Sequence, residues 1–482
     1  MAHKIESELE TKQGFTLNVL EDLTEDEKAI MKSSLRKRDF RILPIVILLY
    51  ICALMDRSNI GSALVNGLVN GLKLTSTQEG NVTSMFYVFY IIFETPSNIL
   101  LKQFTPHFWF SFIGTAWSVC CIILGIIKSG TLFVIFRCIM GVFEAGLTPG
   151  VVGYLAYWYT RKEIGFRMTI FFSAVPISGI IGAPLAGALA SIKIKSLLPF
   201  QNIFVFEGAI TCVVTIASFF LVKDYPDQAK FFTKEEYDLT IKRIHADQGM
   251  ASKSKVSGKQ TIKTLLDWKL WVMSIIFLGY NNAYIVLGIF SPTLIRSFGY
   301  KSITATYLAV IPNAAGLLGV CVVLLFVNKR SYTMLMLIFA VITIACYSIA
   351  VFHRNKISSL VFLGLTGFGA IGNIPLSLAW MSVNQGGIYK GMIASAFVVS
   401  VGSISGVASP RAFVTKFGPN YVVGNVIYIA GVGLSSILLV FLSLYYKRQN
   451  EYRDKNPVDV SHLSEEEQRN MNDAHPNFRY IL

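Results

Sequence analysis

The sequence is short of charge. Of its 482 residues only 15% are Asp, Glu, Lys or Arg, whereas 53% are hydrophobic. A water-soluble domain carries about 25% charged residues, so this composition does not favour a soluble enzyme or a nucleic-acid-binding protein. The formal net charge is +14, but most of the basic residues lie in polar segments beside apolar ones. This pattern is typical of an integral membrane protein.

Motifs for metal binding and catalysis are absent as well. The seven cysteines all lie in apolar runs and form no CxxC pair, and none of the six histidines lies in the middle of an apolar run. There is no phosphate-binding glycine loop and no nucleophile triad. We therefore expect no enzymatic activity, no metal site and no bound cofactor. From the polar, acidic N-terminus we also expect no cleavable signal peptide and no transit peptide.

Long apolar runs dominate what is present. A membrane-spanning helix needs about 20 mostly apolar residues. Twelve such runs occur, at 43–63, 81–101, 108–127, 132–152, 167–190, 203–222, 270–290, 304–327, 332–352, 357–380, 392–413 and 423–446. The sequence therefore predicts an all-α, polytopic membrane protein with twelve transmembrane helices in two six-helix bundles.

The predicted domain boundaries follow from the longest connection, which lies between the sixth and seventh runs. The predicted segments are an N-terminal tail at 1–39, a bundle at 40–222, a central loop at 223–268, a second bundle at 269–446 and a C-terminal tail at 447–482. A shift of 226 residues superimposes several Gly and Pro residues of the two bundles, which favours an internal repeat over chance. The aligned pairs are Gly141 with Gly367, Gly146 with Gly372, Pro149 with Pro375, and Pro184 with Pro410.

The distribution of Lys and Arg predicts the orientation. Basic residues cluster before the first span, in the central loop and after the last span, and such residues favour the cytoplasmic side. An even number of spans separates these three segments, so both termini are expected in the cytoplasm. The short loops do not reinforce this assignment. We expect a monomer whose partners are the lipid bilayer and a small molecule; the plasma membrane is favoured, with the endoplasmic reticulum or another internal membrane left open.

Ionisable residues inside membrane spans are costly and usually mark transport pathways. Asp56 and Arg57 in the first span, and Arg137 and Glu144 in the fourth, are predicted to face a central cavity, because helix geometry places them at similar depths. The alternative is that they form fixed structural pairs. Any proton-carrying carboxylate must belong to the first half, since no Asp or Glu occurs between Trp268 and Asn450.

Two other carboxylates of the first half are interpreted differently. We expect Glu94 to bond to a helix end or a loop, and Glu207, near the start of the sixth span, to be solvated or to cap its helix. The second half offers only amides, hydroxyls and phenols. Tyr280, Asn282 and Asn384 are predicted substrate contacts, with helix-to-helix bonding as the alternative. Other polar groups of the same region are Asn281, Tyr284 and Asn373.

These residues lie in motifs with a family resemblance. The chain resembles the major facilitator superfamily, in particular the anion:cation symporters and their fungal allantoate permease group, from about residue 38 to 447. The strongest motifs are MDRSNIG (55–61), ETPSNILLK (94–102), RCIMGVFEAGLTPG (137–150) and DYPDQAKFFTKEE (224–236); weaker matches are FSPTLIRSFGY (290–300) and Trp380 with Asn384.

The resemblance implies a rocker-switch transporter that imports an organic anion together with protons. Substrates in the family include vitamins and nutrients such as nicotinate, pantothenate, biotin and allantoate. The resemblance assigns proton exchange to Asp56 and Glu144, and substrate binding or coupling to Arg57 and Arg137. An uncoupled facilitator or exchanger and a non-transporting nutrient sensor remain as alternatives.

This sequence also departs from the family pattern. Between the second and third spans only Lys102 remains of the charged signature usual in the superfamily. Ser409-Pro410-Arg411 stands where many relatives have Gly-Pro-Gln. The extra positive charge makes it unsafe to take the substrate from any one relative.

Overall fold

A computed structural model describes residues 25–482 except 102, 230, 253–257, 327–330, 354, 386–387, 457–459 and 461–470. Predictions that concern residues 1–24 and Lys102 lie outside the described residues. The described ranges are almost entirely helical and contain no β-strand, which confirms the all-α prediction.

The helices of the first half follow one another with short connections. They are α1 (Glu25–Ala63), α2 (Ser76–Leu101), α3 (Pro106–Leu124), α4 (Gly130–Glu144), α5 (Leu147–Trp158), α6 (Arg161–Phe172), α7 (Ala174–Ser191) and α8 (Pro199–Leu221). A π-helical turn, Leu64–Leu68, follows α1 directly. The central loop contains α9 (Lys234–Ser252) and α10 (Gly258–Leu265).

The second half has a similar organisation. Its helices are α11 (Trp268–Ser297), α12 (Ser302–Leu308), α13 (Val310–Phe326), α14 (Tyr332–Phe352), α15 (Lys356–Val383), α16 (Ile388–Ser403) and α17 (Val422–Lys455). Short helical turns at Ser405–Ala408 and Ser409–Ala412 extend α16. The carboxylate of Asp267 caps α11, and the amide oxygen of Asn355 caps α15.

Among the described residues, ten helical segments are long and apolar enough to cross a membrane. They coincide with predicted spans three to twelve, and their starts agree with the predicted ones to within four residues. In hydrocarbon each backbone N–H and C=O needs an internal partner, which a helix supplies along its whole length. The first two predicted spans lie within α1 and α2, so the total of twelve remains a prediction.

The packing within the two halves repeats at the predicted offset. Gly141 of α4 lies so close to α2 that a Cβ atom would come within 2.5 Å of the carbonyl oxygen of Phe86. Gly367 of α15 approaches α13 in the same way, with a Cβ atom only 2.0 Å from the carbonyl oxygen of Pro312. Both glycines and both partners differ by 226 residues, and small residues permit such close helix contacts.

The halves contact each other on the side remote from the tails, here called the far side. On that side Asn66 donates to Thr306 (2.9 Å) and the backbone N–H of Thr415 donates to Glu79 (2.7 Å). Gly61 of α1 also lies against the backbone of Ile289 of α11. These contacts close the interface between the halves at the far side.

On the opposite side, here called the tail side, the C-terminal segment 471–482 packs against the second half. Asp473 is buried and forms ion pairs with Lys269, at the start of α11, and with Lys390, in α16. The hydroxyl of Tyr480 also donates to Asp473 (2.8 Å). The segment therefore connects the tail-side ends of helices that are distant in sequence.

Candidate transport site

The centre of the site is an ion pair between α1 and α4. Arg57 donates to the same carboxylate oxygen of Glu144 through Nε (2.9 Å) and through Nη2. Glu144 is fully buried, whereas 17% of the Arg57 side chain is exposed. Glu144 is the last residue of α4, directly before the break at Gly146 that separates α4 from α5. The ion pair is thus accessible from the arginine side only.

Aromatic side chains surround Arg57. Its guanidinium carbon lies 4.7 Å from the ring centre of Tyr90 and 5.5 Å from that of Phe86, both on α2, at distances suited to cation–π contact. Tyr50 of α1 and Tyr284 of α11 lie near enough to interact with its charge. Tyr284 was named among the polar groups of the second half but not among the predicted substrate contacts. Tyr50, Phe86 and Tyr90 were not predicted. These four side chains belong to three different helices. No local sequence pattern therefore indicates that they converge on Arg57.

Arg137 has a different environment. It is fully buried and donates from Nε to the backbone carbonyl of Val82 (2.9 Å) and from Nη1 to that of Asp56 (3.4 Å). In the described part of the chain, no carboxylate lies within ion-pair distance of it, and its Nη2 has no hydrogen-bond partner. Arg137 therefore joins α4 to the backbones of α1 and α2, and in this structure it is out of reach of a substrate.

Asp56 is held by neutral groups. Its carboxylate accepts from Nε1 of Trp117 (3.2 Å) and from the thiol of Cys121 (3.6 Å), both on α3. The residue is fully buried, and no Lys or Arg of the described ranges forms an ion pair with it. Asp56 and Arg57 are adjacent in sequence but point to different groups, Asp56 into the bundle and Arg57 towards the aromatic side chains.

The predicted contacts of the second half form hydrogen bonds within that half. Tyr280 is buried against Ser436 of α17 (3.5 Å), and the amide oxygen of Asn282 accepts from Ser409. Asn384 exchanges hydrogen bonds with the backbone of Ile481 in the C-terminal segment (2.8 and 3.0 Å). These contacts match the helix-to-helix alternative for Tyr280 and Asn282. They place Asn384 at the tail-side end of α15, where the C-terminal segment buries it.

The two remaining carboxylates differ from expectation in their surroundings. Glu94 accepts from Ser400 of α16 (3.3 Å), a contact that joins the halves. Glu207 is only 2% exposed and lies eight positions after Pro199, the first residue of α8. The prediction of a solvated or capping Glu207 is therefore wrong. The reason is that α8 begins four residues before the predicted span and buries this position.

The sequence matches a known family of membrane transporters. Residues 46–410 match the model of the Major Facilitator Superfamily. The chain belongs to this superfamily. It is accordingly an integral, multi-pass membrane protein that transports a small molecule, and the expectation that it is not an enzyme is confirmed.

Individual relatives are also transporters by name. The chain is 28% identical over 490 residues to the major facilitator-type transporter hxnP of Emericella nidulans, covering 98% of this chain and 96% of that protein. It is 31% identical over 283 residues to a putative tartrate transporter of Agrobacterium vitis, covering 58% and 62% of the two chains.

Solved structures share the fold. The D-xylose-proton symporter superimposes with a TM-score of 0.61 at 13% identity, over 82% of this chain and 96% of the other. A bacterial homologue of the human lysosomal transporter Spinster, in an inward-facing and unoccupied conformation, gives 0.60 at 16% identity, over 83% and 94%. At these identities the likeness concerns the fold alone.

Proposed function

We propose that this protein is a proton-coupled importer of a small organic anion that carries a carboxylate, and that it belongs to the allantoate permease group of the anion:cation symporters. The observation that supports this most directly is the buried ion pair of Arg57 with Glu144. The pair joins the two charges that a symporter of an anion and a proton must exchange.

The substrate-binding group in this proposal is Arg57. A guanidinium binds a carboxylate through two parallel N–H donors, and Arg57 already holds Glu144 through Nε and Nη2. The tyrosines around it offer hydroxyl groups to the rest of the substrate. The second half has no Asp or Glu from Trp268 to Asn450, so it presents no negative charge that would repel an anion.

Proton coupling follows from competition for Arg57. While Glu144 is ionised, it occupies two donors of the guanidinium. A proton on Glu144 removes its charge and weakens its charge-assisted hydrogen bonds, which leaves Arg57 free for the substrate carboxylate. One proton and one carboxylate enter together, so the net charge of the site is unchanged and no unpaired charge is left buried.

Asp56 is the second proton-binding residue of the proposal. Its partners Trp117 and Cys121 are neutral, so gain or loss of a proton changes the charge of this part of the bundle directly. Arg137 is a positioning residue, because it holds the backbone carbonyl of Asp56. Through this hydrogen bond, a displacement of Asp56 on protonation would also move α4, which carries Glu144.

The contacts between the halves support alternating access. The far side is closed by the bonds of Asn66 and Glu79 to the second half, while part of Arg57 remains exposed. We propose that the tail side is cytoplasmic and that this conformation releases substrate there. The relative named as a tartrate transporter adds support for a carboxylate substrate.

The test is uptake into cells that lack their own carriers. Radiolabelled nicotinate, pantothenate, biotin, allantoate and tartrate would be offered at pH 5 and pH 7.5, with and without a protonophore. We expect accumulation of one of them at pH 5 that the protonophore abolishes. Uptake indifferent to pH and protonophore would instead establish an uncoupled facilitator or exchanger, and binding without uptake of any anion would indicate a sensor.

A substitution at Glu144 tests whether the proton dependence of uptake arises at this site. Glu144→Gln keeps the shape of the side chain but removes its charge, so we expect exchange of substrate across the membrane to persist while accumulation is lost. Glu235→Gln, at an exposed position of α9, is the matched control and should behave like the natural protein. Accumulation by the Glu144→Gln variant would contradict the proposed competition for Arg57.

A further inference from the structure

Glu207 is a buried carboxylate to which the proposed mechanism gives no role. It lies on α8, is 2% exposed, and its oxygen Oε2 has no hydrogen-bond partner among the described residues. No ion pair with Lys or Arg is present for it in the described ranges. An ionised carboxylate without a donor or a cation is costly in apolar surroundings, so a purely structural role does not explain this residue.

Glu207 lines a cavity between the two halves. The cavity is bounded by α1, α7 and α8 of the first half and by α11, α13 and Ala309, directly before α13, of the second half. Its polar lining consists of Glu207, Ser58, Asn59, Ser62 and Asn313. The space open to the centre of a water molecule is about 20 Å³, enough for about one water. Ser62 is near the far-side end of α1, so the cavity lies on the far-side part of the interface.

A short series of polar groups leads from this cavity to Asp56. Asn59 is within hydrogen-bonding reach of the Glu207 carboxylate, and its amide also contacts the sulfur of Cys121 (3.6 Å). The thiol of Cys121 donates to Asp56 (3.6 Å). The side chain of Thr211, one turn after Glu207 on α8, lies near the Asp56 carboxylate. Asp56 itself is absent from the lining of the cavity, whereas Glu207 is part of it.

Few groups near Glu207 can exchange a proton with it. The titratable side chains near it are Asp56 and Cys52 of α1 and Cys121 of α3. The lining contributed by α7, α11 and α13 consists of small or neutral residues, of which Asn313 is the most polar. A water molecule, for which the cavity has room, is therefore the group that would bring a proton to Glu207 from the far side.

We propose that Glu207 receives the transported proton from the far-side cavity and passes it to Asp56. The O–H bond of the Glu207 carboxyl breaks, its electron pair stays on Glu207, and the Asp56 carboxylate gains the proton through the hydroxyl of Thr211 or through one water, either of which accepts one proton as it gives up another. Glu207 then takes a new proton from the cavity. This inference rests on the proposed proton coupling and adds the entry step to it.

The first experiment does not depend on transport. Infrared difference spectra of the purified protein, titrated in lipid nanodiscs, report protonated buried carboxyl groups by their C=O stretch. We expect Glu207→Gln to remove one titrating carboxyl signal, and Asp56→Asn to remove a different one and to shift that of Glu207. Glu235→Gln should leave both unchanged. A Glu207→Gln spectrum identical to that of the natural protein would overturn the inference.

The second experiment measures the entry step in proteoliposomes. When the far side is acidified, we expect Glu207→Gln to slow proton-driven uptake by about 100-fold, the lower end of the contribution of a positioned acid or base. Exchange of substrate without net proton movement should keep its rate. Glu207→Asp, which retains a carboxyl group, should restore part of the proton-driven rate. A merely misfolded variant would lose exchange as well.

The outcomes separate this inference from the proposed function. If the natural protein is proton-coupled and Glu207→Gln accumulates substrate at the natural rate, only the entry role of Glu207 fails. If uptake by the natural protein ignores the protonophore, the proposed function fails whatever the infrared result. If replacement of sodium by choline abolishes uptake and Glu207→Gln removes that dependence, Glu207 binds a metal cation and the proton role is overturned.

Discussion

The two halves of this transporter share a packing scheme but differ in chemistry. At an offset of 226 residues, the glycine contacts between helices recur in both halves. The buried charges do not recur: the positions that correspond to Asp56, Arg137, Glu144 and Glu207 carry Asn282, Leu363, Ala370 and Gly433. The comparison shows that a repeated backbone arrangement does not require repeated chemistry.

At the tail-side rim the halves resemble each other again. Arg167, in α6, forms an ion pair with Asp39 of α1 (2.8 Å), and Lys390, in α16, forms one with Asp267 directly before α11 (2.5 Å). In each half an acidic residue just before the first predicted span pairs with a basic residue near the fifth predicted span. Charge near water is tolerated in both halves, whereas charge inside the membrane is confined to one.

Among changes that test this difference between the halves, Arg57→Lys is expected to have the largest effect, a loss of affinity for the anion. A lysine keeps the positive charge but loses the planar fork that binds a carboxylate through two donors. Loss of one charge-assisted hydrogen bond, at about 1.5–3 kcal/mol, corresponds to a roughly 10- to 100-fold weaker affinity for the anion. Competition with a labelled substrate measures this affinity.

The second half offers the matched control for this change. Arg296→Lys alters an exposed arginine of α11 and should leave the affinity unchanged. Equal losses in both variants would contradict the assignment of anion binding to the first half alone.

A smaller effect, equal in both halves, is expected from Gly141→Ala and Gly367→Ala. Each added methyl group would collide with a backbone carbonyl of the neighbouring helix, and overpacking of this kind costs about 1–3 kcal/mol. Thermal unfolding in detergent measures the loss of stability. Gly433→Ala, with nothing near its added methyl group, is the control; a loss in one half only would show that the packing is not equivalent.

The smallest effect on transport is expected at the C-terminal segment. Burial by itself would raise the pKa of Asp473, but the ammonium groups of Lys269 and Lys390 outweigh it and hold the pKa below its usual value. A lowered folded-state pKa means that docking is stabilised above the ordinary aspartate pKa of about 3.9 and is lost as the pH falls through the lower value. The segment should therefore stay docked at both pH 5 and pH 7.5.

Hydrogen exchange of residues 471–482 at these two pH values tests this expectation. Asp473→Asn should raise the exchange rate at both pH values, because it removes both ion pairs. Substrate uptake should continue in this variant. Release of the segment in the natural protein between pH 7.5 and pH 5 would show that another group controls its docking.

The positions of the membrane helices were predictable because they depend on local chemistry. A run of about 20 apolar residues has no other stable arrangement in a bilayer, and α3, α14 and α15 begin within two residues of the predicted starts. The central charges were also predictable, since Asp56 and Glu144 stand out in apolar surroundings. Their partners were not, because the sequence allows either Arg57 or Arg137 to pair with either carboxylate.

The sequence by itself thus determined the class of the fold, the confinement of the acidic groups within membrane spans to one half, and the residues able to carry charge. Only the tertiary structure decided that Arg57 holds Glu144, that Arg137 holds backbone carbonyls and that Glu207 borders a cavity between the halves. The physical reason is that hydropathy and helix period are properties of neighbouring residues. The choice between two arginines depends on helix rotation and depth, to which α1, α2, α4 and α8 all contribute.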